Sequence, residues 1–147
     1  MDHSLKAVVL ISVQLLLLTL LGCSSNDPTA APADHEEAEP IARTEFTDRI
    51  ENFFEFEPLH AGKPTQFLIH LTDLEDGAPV EQAQVVVTVR PRGGTEVVAQ
   101  TTARVGRVTG IYVADVNVPQ PGDYDIEFHI KNAKLDERLP LRDFKVE

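Results

Sequence analysis

Tyr124-Asp125-Ile126-Glu127-Phe128-His129-Ile130-Lys131 alternates without a break between apolar and polar side chains. A period of two is that of a β-strand with one face in a core and the other toward water, since successive side chains point to opposite faces. The same period appears in three more stretches. Phe67, Ile69 and Leu71 alternate with Gln66, Leu68, His70 and Thr72. Val85, Val87 and Val89 alternate with Val86, Thr88 and Arg90, and Tyr112, Ala114, Val116 and Val118 with Asp115 and Asn117. No long segment carries a helical period of 3.6.

Turn residues separate these runs at Pro58 to Pro64, Asp76-Gly77, Arg92-Gly93-Gly94, Thr109-Gly110 and Pro121-Gly122-Asp123. Ile50–Glu57 reads as the first strand, with Phe54 and Phe56 inward and Glu55 and Glu57 outward. Arg138–Val146 reads as the last, with Phe144 and Val146 inward and Pro140 marking an edge or irregular start. Arg90–Glu96, around Gly93-Gly94, predicts a hairpin. About seven antiparallel strands in roughly a hundred residues predict an all-β fold, an immunoglobulin-like sandwich over residues 44–147. Tyr124, just after a Pro-Gly-Asp turn, stands where a corner tyrosine would, or packs in the core.

The other end of the chain is of a different kind. Met1 to Lys6 is short and polar, and Ala7 to Leu21 is apolar apart from Ser12, Gln14 and Thr19. That is the layout of a secretory signal peptide over residues 1–22. Leu20-Leu21-Gly22-Cys23 resembles the lipobox of bacterial lipoproteins. The resemblance implies that Cys23 carries lipid on its thioether and its new amine after cleavage, palmitate among the chains. Two or three acyl chains hold durably where one is marginal. The alternatives are an uncleaved anchor, for which an apolar run of about fifteen residues is short against the ~20 of a span, and a plain signal peptide. Ser24 rather than Asp after the Cys leans toward the outer membrane, with the domain facing the periplasm.

Residues 23–43 hold three prolines, five alanines and five acids, with no apolar periodicity. They predict a disordered acidic tether. Asp34-His35-Glu36-Glu37 within it is a solvated charge run, with weak metal contact as the alternative.

Thirteen Lys and Arg against 24 Asp and Glu give a net charge of −11. An acidic surface excludes nucleic acid as a partner, because phosphate binding needs clustered cations. All four serines and the single Cys lie before residue 26, so the folded region has no serine or cysteine nucleophile. No phosphate-binding glycine loop is present. These absences predict a protein that is not an enzyme. Lipidation of Cys23 and loss of Met1 also remove soft ligands for monovalent copper. His60, His70 and His129 with nearby acids remain, and they suit zinc, nickel, cobalt or divalent copper. His60 and His70 are the candidate metal ligands, although their spacing matches no ligand motif; no cofactor is predicted. His70 otherwise reads as a hydrogen-bonded structural side chain, and His129 as an exposed surface one.

Phe53-Phe54-Glu55-Phe56-Glu57-Pro58-Leu59, then Gly62, Phe67 and His70-Leu71-Thr72-Asp73-Leu74, then Val80 and Val85 to Val89, resemble a known domain. It is the β-sandwich at the N-terminus of some periplasmic adaptor subunits of heavy-metal RND efflux pumps. Gly110-Ile111-Tyr112 and Pro121-Gly122-Asp123-Tyr124 resemble the wider group of small exported Ig-like domains. The similarity spans about Thr44 to Glu147 and implies a sandwich fold and a metal-efflux setting. The lipoyl-like, hairpin and barrel domains of an adaptor do not follow, so bridging a pump to a channel is not expected. The expected function is a lipid-anchored periplasmic binding or accessory module that contacts the membrane through its lipid and another envelope or efflux protein through a sheet face or edge. A periplasmic carrier of a divalent metal and a structural envelope lipoprotein without a metal role are the alternatives.

Overall fold

The computed structural model describes residues 39–147. The signal peptide, Cys23, the Asp34–Glu37 run and most of the expected tether lie outside the described residues. Nine strands form two antiparallel sheets packed face to face: β1 (Ile41–Phe46), β2 (Ile50–Phe56), β3 (Thr65–Asp73), β4 (Gln84–Pro91), β5 (Ala99–Thr102), β6 (Arg104–Val105), β7 (Ile111–Val116), β8 (Gly122–Lys131) and β9 (Asp136–Val146). One sheet has the order β1-β2-β3-β7-β6 and the other β5-β4-β8-β9. Without β1, these are the A-B-E-D and C′-C-F-G orders of the immunoglobulin sandwich.

The alternating residues point as their period requires. Ile69, Val85, Val87, Val89, Ile126, Phe128 and Ile130 are completely buried. Aromatic rings fill one end of the core. Phe54 lies 4.9 Å from Phe128 across the two sheets, and Phe56 stacks on Phe67 at 4.7 Å and tilts against Phe144 at 5.7 Å. Such contacts add about 0.5–1.5 kcal/mol per pair beyond area burial.

Two tyrosines lock the connections. The Tyr124 hydroxyl donates to the Gln120 carbonyl at 2.9 Å, so Tyr124 is a corner tyrosine at the start of β8. Tyr112 is buried in β7. Its hydroxyl donates to the Val80 carbonyl at 2.8 Å and accepts from the Ala83 N–H at 3.0 Å, tying the β3–β4 connection to the core. Gly110, at φ +80°, turns the chain into β7 so closely that a Cβ there would lie 2.5 Å from Pro79 Cβ.

The strand count differs from the expected seven for two reasons. First, β1 begins at Ile41, inside the expected tether, and runs antiparallel to β2 from Ile41↔Phe56 to Phe46↔Glu51. The folded region therefore starts three residues before the boundary at 44. Arg43 is the physical reason. Its guanidinium sits 4.8 Å from the Phe144 ring centroid and donates to the Arg142 carbonyl at 3.1 Å, closing the gap between β1 and β9. Second, the chain crosses between sheets at Ala103. Residues before it pair with β4 and residues after it with β7, while Ala103 N–H donates to the Val85 carbonyl at 2.8 Å.

Smaller differences have local causes. Thr88, expected on a polar face, is buried because Gln100 lies over it and donates to its hydroxyl at 3.0 Å. The hairpin at Gly93 is longer than expected, since the Val98 N–H closes on the Val89 carbonyl beyond it. Pro140 lies within β9, on a sheet edge as expected, and a register shift between Tyr124 and Ile126 bends that edge.

Candidate binding face

The outward faces of the two sheets differ in chemistry. Outside the β5-β4-β8-β9 sheet, charges are paired with one another. Asp136 lies 2.6 Å from His129 Nε2 and also takes the Lys131 ammonium. Glu127 accepts from Arg138 at 2.9 Å, and Arg92 donates to Asp143 at 3.0 Å. Lys131 first and His129 second hold the Asp136 carboxyl down to about 2. His129 is thus half-buried against Asp136, within hydrogen-bond distance of its carboxylate, not the exposed surface histidine expected. Its partner lies across the β8–β9 hairpin, where sequence spacing gives no hint of it.

Outside the five-stranded sheet, mostly apolar side chains take the middle rows and charges lie around them. The register sets Phe53 beside His70 and His70 beside Ile111; in the next row Leu68 stands beside Val113. All five side chains are half-buried. Phe53 and His70 meet edge to face with ring centroids 5.3 Å apart. Glu51, Glu55, Gln66, Arg104 and Asp115 surround them, with Arg104 donating to Asp115 at 3.0 Å. A mostly apolar strip with a polar rim thus lies on the outside of a sheet already backed by a full core.

At the Asp73 end of β3, Arg49 grips the Asp73 carboxylate with two hydrogen bonds of 2.9 and 3.1 Å and reaches Glu75 at 2.6 Å. The Arg49 guanidinium, helped by the Glu75 N–H, holds the Asp73 carboxyl below its ordinary range. This clamp fixes the β1–β2 hairpin to the end of β3.

The two candidate metal ligands are not brought together. His60 is exposed in the β2–β3 loop, beside the Thr65 end of β3. His70 lies five residues along that strand, roughly 17 Å at ~3.3 Å per residue. Its Nε2 is shielded from solvent and has no hydrogen-bond partner, so the side chain packs against Phe53 without the hydrogen bond expected of it. Among the described residues no group of three or more His, Cys, Asp or Glu is placed to hold a metal ion. Among them, too, no helix is long and apolar enough to cross a membrane. The strip itself was missed as a unit. Leu68 and Val113 are visible in the sequence as apolar residues on polar faces, but only the β2-β3-β7 register joins them.

No protein-family model matches the chain, and no curated protein matches it in sequence. Among solved structures, the ZirS C-terminal domain is similar to it with a TM-score of 0.42 and 13% sequence identity, over 79% of this chain and 74% of that one.

Proposed function

We propose that this protein is a non-enzymatic binding module of the bacterial envelope, anchored by lipid on Cys23. It faces the periplasm, from the outer membrane by preference, and holds another envelope protein against the outside of its five-stranded sheet. One observation carries the reading: Phe53, Leu68, Ile111 and Val113, with His70 among them, form a mostly apolar strip on one outer face, while on the opposite outer face β8 and β9 carry paired charges. Partner contact would remove the apolar strip from water, whereas the paired charges are already satisfied within the chain. The similarity of Phe53 to Leu74 to efflux adaptor domains supports a heavy-metal efflux setting for that partner.

Two substitutions test the parts separately. Cys23→Ser should release the protein from the membrane fraction; retention there would favour an uncleaved anchor. Leu68→Glu places a charge in the strip and should abolish co-purification of the partner with no loss of membrane attachment. Unchanged co-purification would remove this face from the account.

A further inference from the structure

Sheet edges invite pairing with another chain, and proteins usually blunt them. Among the described residues, three of the four edges are blunted by short length, proline or irregular register. β6 has two residues and β5 four. β9 carries Pro140 and a register shift. β1 is regular over six residues, contains no Pro or Lys, and keeps an unbroken register with β2; its guard is a pair of inward charges, Arg43 and Glu45, which neutralise each other at 2.5 Å. Ile41 and Phe46 on it are 42% and 59% exposed.

The phase of its free hydrogen-bonding groups follows from the hairpin. The Thr47 N–H donates to the Ile50 carbonyl at 2.9 Å. Pairs alternate in an antiparallel ladder, so Glu45, Arg43 and Ile41 also turn their backbone groups toward β2. Ala42, Thr44 and Phe46 therefore turn theirs outward. An antiparallel second copy centred on Thr44 would face Thr44 to Thr44 and Ala42 to Phe46, engaging every outward N–H and C=O. Arg43 already holds Glu45 of its own chain at 2.5 Å; the second copy would face Arg43 to Glu45 and Glu45 to Arg43 in the closer, non-hydrogen-bonded positions, extending each pair into a four-charge network of alternating sign. Centring on Arg43 or on Glu45 instead opposes like charges and engages fewer backbone groups. Pro40, without an N–H, bounds the ladder on one side.

We infer that β1 is a self-complementary edge through which two copies of this chain join their five-stranded sheets into one continuous sheet, with Thr44 on the two-fold axis. The occupant is a second copy, because the charge order Arg43-Thr44-Glu45 complements its own reverse. The inference stands on the edge strand and does not depend on the outer-face strip.

The test is oxidative cross-linking in cells expressing the full chain, with Cys23 retained in every variant. Thr44→Cys should give a disulfide-linked dimer at least tenfold above Ala42→Cys or Phe46→Cys, because only position 44 meets its own copy within disulfide reach. No dimer from Thr44→Cys, or equal yields from all three, overturns the proposal. Thr44→Pro supplies a variant that keeps its fold, since the lost N–H points away from β2 and an edge strand tolerates proline there. In detergent extracts, sedimentation should find wild-type dimers and Thr44→Pro monomers with the same melting temperature. A monomeric wild type, or a dimeric Thr44→Pro, overturns it as well.

Discussion

Phe53 and His70 face each other across β2 and β3 on the outside of the sandwich, edge to face, with ring centroids 5.3 Å apart. The pair is apolar surface without a core to build, since the buried rings of Phe54 and Phe67 already fill the inner side of the same strands. Phe53→Thr keeps a strand-favouring side chain and should cost only about 1 kcal/mol in urea unfolding. Phe54→Ala, one residue on and wholly buried, should cost about 3–5 kcal/mol. A loss at Phe53 as large as at Phe54 would make the outer strip structural.

The two tyrosine hydroxyls predict unequal effects. Tyr112→Phe strands the N–H of Ala83 and the carbonyl of Val80, both on buried residues; about 2–4 kcal/mol should be lost. Tyr124→Phe frees only the carbonyl of Gln120, an exposed residue that water can reach; the loss should be about 1 kcal/mol. Chemical denaturation of the two variants checks the order.

Asn52 is completely buried on β2, between Ile50 and Phe54 on the inward face, and neither Oδ1 nor Nδ2 finds a protein partner. Asn52→Val removes the desolvated amide and adds much less bulk than leucine would, in a side chain that favours strands. It should raise stability by about 1–3 kcal/mol. A destabilised variant would show that the amide is satisfied.

Most of the sandwich was legible because its signal is local. The inward residues of β3, β4, β7 and β8 follow from a period of two, and the Tyr124 position follows from the Pro-Gly-Asp turn before it. What was not legible depends on partners far along the chain. The first half of β1, Ile41 to Arg43, looked like tether because it continues a Pro- and acid-rich run without apolar periodicity; Arg43 belongs in a strand because Glu45 holds its guanidinium and Phe54 and Phe144 offer it their rings. His60 and His70 are close in sequence, yet a straight strand carries them apart. The outer strip needed three strands in register before it existed at all.

Acid should weaken the fold through Asp136. Lys131 and His129 depress its carboxyl from the ordinary 3.8 to about 2. A carboxyl depressed in the folded state adds stability that is fully present above its unfolded value and is lost as pH falls through the folded one. The contribution therefore fades between about pH 4 and pH 2. Asp136→Asn should flatten the melting-temperature profile in that window. An identical acid slope in the variant would assign the acid loss to other groups.

The direct measurement is site-specific photo-cross-linking in intact cells, with the photoreactive residue at Leu68 or Val113 on the apolar strip and at Glu127 or Arg138 on the ion-paired face. The account predicts a discrete product with a second, different envelope protein from Leu68 and Val113, and none from Glu127 or Arg138. Equal products from both faces, or none from Leu68 and Val113, would contradict it.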